Sequence, residues 1–138
     1  MTFYMLDTNI ASHVIRGDIP VVRQRLTTVA IQQVAISVVT QAELLYGVAK
    51  RGHPKALAEA VHAFLIRVTI LPWTEDVAHT FGDLRTASES SGITLAPMDM
   101  MIASHAKATG SILVTRDKIF RQPAVGLQWE DWSEDSVH

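Results

Sequence analysis

The sequence predicts an α/β fold, a parallel sheet of about five short strands covered by helices on both faces. Three observations carry that expectation. Short, nearly continuous apolar runs recur along the chain, as buried strands require. Between them lie segments with apolar residues at helical spacing. The two patterns alternate, and alternating strands and helices build a parallel sheet.

Phe3-Tyr4-Met5-Leu6 reads as the first buried strand, and Asp7 opens a helical stretch ending near Gly17. Asp18-Ile19-Pro20 reads as a helix start, a capping acid with a proline in the first turn, leading a helix over 21–29. Val34-Ala35-Ile36 is the second strand. Ser37-Val38-Val39-Thr40 leads into a helix carrying Glu43, Leu44, Leu45 and Val48, which stops near Gly52. Leu57, Val61, Phe64, Leu65 and Val68 recur at amphipathic-helix spacing. Val68-Thr69-Ile70-Leu71 returns to strand, closed by Pro72. Thr74-Glu75-Asp76 caps the next helix, with Val77, Phe81 and Leu84 on its inner face. After a turn at Ser91-Gly92, Pro97 starts a helix through Met101, Ile102 and Ala106 to Gly110. Ile112-Leu113-Val114 is a strand, and Val125 to Trp129 a last one.

Composition bounds the function without choosing it. The 138 residues, 48% of them hydrophobic, suit one domain with a full core, read here as residues 1–130 followed by an acidic tail at 131–138. No apolar run approaches the roughly 18 residues that span a bilayer. The absence of cysteine excludes disulfides and thiolate zinc sites and fits a cytoplasmic location. A net charge of −2 does not mark a nucleic-acid binder, yet clustered carboxylates would mask basic residues around them. The six histidines are scattered, with no His-Glu-x-x-His helix to hold zinc.

Chemistry concentrates in four acids. In an open parallel sheet, ligands bind beyond the carboxyl ends of the strands, where strand order reverses. Asp7 follows the first strand and Asp117 a late one; Glu43 and Asp99 lie in the first turns of helices. Each has a structural role to offer instead: Asp7 as a helix cap, Glu43 in a capping box with Thr40, Asp99 at a positive helix end, Asp117 in a turn. Together they are harder to dismiss. Asp99 shares a helical face with Ile102, Ala103 and Ala106, and Glu43 shares one with Val39, Tyr46 and Gly47, so both are expected to face inward. No lysine or arginine occupies a helical position that would neutralise either. Clustered carboxylates repel one another, a divalent cation compensates, and all-oxygen donors favour magnesium or manganese. One or two such ions suit phosphodiester hydrolysis. Thr8, Asn9 and Thr115 are placed to orient ligands or, equally, to bond the local backbone. Arg85, Arg116, Lys118 and Arg121 are candidate contacts to a phosphate backbone, the alternative for each being a solvated surface charge.

From Met5 to about Trp129 the chain resembles the PIN-domain nucleases, and within them the VapC-type toxins. Four blocks carry the likeness, in order: Met5-Leu6-Asp7-Thr8-Asn9, Ser37 to Gly47 with Glu43 at the acidic position, Pro97-Met98-Asp99-Met100-Met101-Ile102-Ala103, and Leu113-Val114-Thr115-Arg116-Asp117 through Phe120. The resemblance implies a three-layer α/β/α fold and a magnesium site of Asp7, Glu43, Asp99 and Asp117, with manganese a possible substitute. It implies single-strand-specific RNA cleavage, with the anticodon loop of initiator tRNA the favoured substrate. Homodimerisation, inhibition by a VapB-type antitoxin and operator DNA binding through that antitoxin also follow from it. One departure stands out: Ile119 follows Lys118 where members often have a further acid or asparagine, so the fourth acidic position rests on Asp117 alone. Asp7 and Asp99 are the expected direct ligands. Receiver domains and haloacid-dehalogenase-like phosphatases also bind magnesium at strand ends, but Thr8 and Asn9 stand where those would need further acids. The remaining alternative is a PIN-like binding or scaffold protein without turnover.

Overall fold

The computed structural model describes residues 1–134. Five strands, β1 (Tyr4–Leu6), β2 (Val34–Ser37), β3 (Thr69–Leu71), β4 (Ile112–Val114) and β5 (Trp129–Glu130), form one sheet in the order β3-β2-β1-β4-β5. Every pairing is parallel. The chain leaves β1 toward β2 and β3 and later returns to β4 on its other side, which puts the reversal of strand order between β1 and β4.

Side chains alternate across the sheet, and that alternation builds two cores. Leu6, Val34, Ile36 and Val114 face a core shared with α1 (Thr8–Arg16), α2 (Pro20–Leu26), α3 (Val38–Lys50) and α4 (Lys55–Leu65). Met5 and Leu113, neighbours in register, face the opposite core, against α5 (Glu75–Ser90) and α6 (Pro97–Ala108). The result is the expected three-layer α/β/α arrangement.

Several boundaries differ from the sequence reading, each for a local reason. Asp18 does not cap α2: Ile19 holds that position without a side-chain bond, and Asp18 turns back to His13 and Arg16 of α1. The cap of α3 is Ser37, whose hydroxyl accepts the Val39 N–H, and so Thr40 lies inside the first turn and forms no capping box with Glu43. The last strand is Trp129–Glu130 and not Val125 to Trp129; Val125 is buried in the turn that precedes it. Tyr46, grouped by helical position with Glu43 on an inward face, is 64% exposed and lies near the Lys50 ammonium.

The domain also runs past residue 130. Trp132 is fully buried, donates its indole N–H to Glu130 and stacks at a tilt against Tyr4. Asp131 pairs with Arg121 at 2.7 Å. An aromatic ring of that size secures a chain end that charge content alone assigned to a loose tail. The rest of the predicted tail, residues 135–138, lies outside the described residues.

Candidate active site

The carboxyl edge of the sheet opens into a cavity of about 610 Å³ lined by Asp7, Thr8, Asn9, Ser12, Glu43, Asp99, Arg116, Asp117 and Phe120. All four acids singled out in the sequence therefore meet in one place. Asp7 ends β1 and caps α1, accepting the Ile10 N–H at 2.8 Å. Glu43 projects from α3, where Thr8 Oγ1 stands 2.6 Å from its carboxylate. The same hydroxyl lies 3.1 Å from Thr40 Oγ1, but it has one hydrogen, and the carboxylate at the shorter distance takes it. Asp99 occupies the first turn of α6, which Pro97 starts. Asp117 follows β4 and accepts the Ile119 N–H at 3.1 Å, capping a short 3-10 turn. The structural roles weighed for Asp7 and Asp117 are thus real, and both residues line the cavity while performing them.

Electrostatics single out Asp7 and Asp99. Asp7 is 5% exposed, and burial, with smaller contributions from the charges of Asp99 and Asp117, raises its pKa to about 6. The Thr115 hydroxyl and the Ile10 N–H pull the other way. Thr115 accepts the Asp117 N–H at 3.0 Å, which leaves its own hydrogen for Asp7. The Asp99 carboxyl is raised by burial and then by the charges of Asp117 and Glu43. These acids repel one another across the cleft. Among the described residues, no three His, Cys, Asp or Glu side chains are drawn together into a ready ligand set. The donors nevertheless fit a hard divalent cation. They are all oxygens, two are destabilised as anions, and Arg116 is the single cationic side chain in the lining.

The remaining candidates divide. Thr8, Asn9 and Arg116 line the cavity, and Thr115 lies fully buried beneath it. Lys118 is exposed and outside the lining. Arg85 is outside it too, paired with Glu89 at 3.3 Å. Arg121 is turned away, held by Asp131 and stacked over Trp129 at 4.5 Å. Ser12 and Phe120 belong to the site and were not anticipated. Ser12 lies one helical turn beyond Thr8, a spacing that shares its face and would have found it.

A second link ties the acids together from behind. His105 of α6 is fully buried with Nδ1 2.7 Å from the Ser37 hydroxyl. That hydroxyl also accepts from Val39 at the start of α3 and so touches both helices. Burial lowers the His105 pKa, with the Pro72 backbone opposing, and the ring stays neutral. The helices carrying Asp99 and Glu43 are thereby joined through one hydrogen bond.

Comparison with known proteins agrees with this fold. The family model described as PIN domain matches residues 4–126. The tRNA(fMet)-specific endonuclease VapC of Shigella flexneri is 34% identical over 133 residues, covering 96% of this chain and all of that one. Among solved structures, DNA-bound VapBC from Salmonella typhimurium superposes with a TM-score of 0.88 at 31% identity, covering 96% of this chain and 99% of the other. VapBC2 from Rickettsia felis, bound to a DNA fragment from its promoter, gives 0.86 at 34% identity over 95% and 99%. The matched family model and these relatives show that the chain belongs to the PIN-domain family, in its VapC ribonuclease branch.

Proposed function

We propose that this protein is the toxin of a toxin–antitoxin pair, an endoribonuclease that requires magnesium or manganese and is held in check by a VapB-type antitoxin. The observation that carries the reading is the meeting of Asp7, Glu43, Asp99 and Asp117 in one cleft where strand order reverses. Those four residues are the ones that would hold the cation. A divalent ion bound there neutralises charge at a scissile phosphate and acidifies water.

The chain's own residues supply the rest. The N-termini of α1 and α6 point their positive ends toward the cleft, favouring anions there. Thr8 fixes the Glu43 carboxylate, and Thr115 restrains Asp7 and Asp117 together. Arg116 presents a guanidinium at the rim, suited to a phosphate oxygen of the RNA backbone. The cleft is broad and polar, which suits an unpaired strand whose backbone can bend into it.

The finer parts of the reading rest on likeness. The relatives' names point to initiator tRNA as substrate and to a partner whose complex with the toxin binds promoter DNA, which we read as an antitoxin and its operator. A homodimer in the cytoplasm completes the picture; among the described residues, no helix is long and apolar enough to cross a membrane. Incubating the purified chain with total bacterial RNA and mapping new ends tests the substrate. Ends confined to the anticodon loop of initiator tRNA are expected. Ends elsewhere would replace that substrate, and no cleavage by folded protein, with either metal, would favour the scaffold reading.

A further inference from the structure

Arg116 lines the cleft from an exposed loop after β4, and among the described residues its side chain bonds to His13 Nε2 at 3.1 Å. His13 belongs to α1, and its Nδ1 lies 2.8 Å from Asp18 Oδ1. Arg16 Nη2 stands 3.2 Å from the same nitrogen, while its Nε pairs with Asp18 Oδ2 at 3.3 Å. The tautomer with its hydrogen on Nδ1 satisfies both Arg116 and Asp18. A guanidinium only donates, so Nε2 must accept, and a neutral ring then carries its hydrogen on Nδ1. That hydrogen goes to Asp18, and Arg16, beside the same nitrogen, also pairs with Asp18. Asp18 is free for this because it does not cap α2.

We infer that the Asp18–His13 pair is a positioning device that aims the Arg116 guanidinium into the cleft to grip an RNA phosphate. The inference rests on the ribonuclease reading of the cleft and extends it to substrate affinity. His13 does not line the cavity and touches no reacting atom. Its effect passes through Arg116, which commits one N–H to the ring and keeps its other donors for a phosphate. His13 is 12% exposed in its side chain, so the ring is held by α1 and not by solvent. Without it, the guanidinium would have to give up rotamer freedom each time RNA bound.

A double-variant cycle on RNA affinity tests this, read in an Asp99→Asn background with magnesium so that binding is seen without turnover. The probe is a single-stranded oligoribonucleotide. Arg116→Ala is expected to weaken binding roughly three- to tenfold and to flatten its salt dependence by about one charge, as for any single phosphate contact. His13→Ala should reproduce most of that loss, and in the double variant it should add nothing. His13→Gln, whose side-chain oxygen still accepts from Arg116, should recover affinity, which repacking alone would not explain. Losses that multiply in the double variant, or a His13→Ala protein that binds like its background, would overturn the inference. In that case cleavage by the unsubstituted chain leaves the ribonuclease reading standing. A chain that neither binds nor cleaves RNA overturns both.

Discussion

Asp7 does two jobs that conflict in charge. As a helix cap it needs only an acceptor oxygen for the Ile10 N–H, but as a ligand it must be an anion in a buried place among other acids. Its carboxyl releases its proton near pH 6 in the folded chain against a free value of 3.8. The folded form therefore binds that proton more tightly. Its contribution to stability is full below the free value and is lost as pH rises through about 6, an effect of about 3 kcal/mol. Asp7→Asn keeps the cap and removes the charge. The variant should lose cleavage yet unfold at higher denaturant than the parent at pH 7.5 without metal, and the two should converge near pH 4. Equal midpoints at pH 7.5 would show that Asp7 is not strained as an anion.

At this scale the acids were legible because each stands at a strand end or in a helix's first turn, where position follows from local pattern. The cations were not. Arg121 meets Asp131 ten residues later across a loop, and Arg85 takes the local partner Glu89. Which acid an arginine chooses depends on loop geometry that periodicity does not encode.

Elements are held by specific terminal bonds. Helix α1 ends at Gly17, with φ of 67°, and the Arg23 guanidinium covers that end, donating to the Val14 and Ile15 carbonyls. A Cβ on Gly17 would lie 2.4 Å from Arg23 Cζ. Gly17→Ala should cost about 1–3 kcal/mol, from the left-handed backbone and the displaced guanidinium, read as a lower melting temperature. Ser37→Ala removes both the α3 cap and the bond to His105. It should cost about 1–3 kcal/mol and lower activity more than the stability loss explains, because Glu43 and Asp99 lose their common anchor. Activity unchanged at a temperature where the variant is fully folded would count against that anchoring.

Strands and helices were readable in order because their periods differ, and the glycine at the end of α1 marked its stop. Caps were harder. Ser37 and Thr40 both offer a hydroxyl near the start of α3, and only packing decides that Ser37 wins. Beside α2, Asp18 looked like a cap because sequence shows its proximity to Pro20 but not to His13.

For the whole molecule, the sheet order matters most. It brings acids from residues 7, 43, 99 and 117 to one edge, which four separate blocks of sequence could suggest but not join. The tail shows the reverse case. Acidic composition concealed Trp132, which fills the core beside Tyr4. Trp132→Ala should destabilise the domain by about 3–5 kcal/mol, the range for a large buried aromatic, measured by denaturant unfolding.

The central claim is that these four carboxylates act together through a bound divalent ion. Single-turnover cleavage of RNA by the purified chain, with magnesium or with chelator, beside Asp7→Asn and Asp99→Asn, tests it most directly. The account predicts discrete fragments that require magnesium and disappear in both variants, each of which remains folded. Fragments that persist in chelator, or at parental rate in either variant, would contradict it.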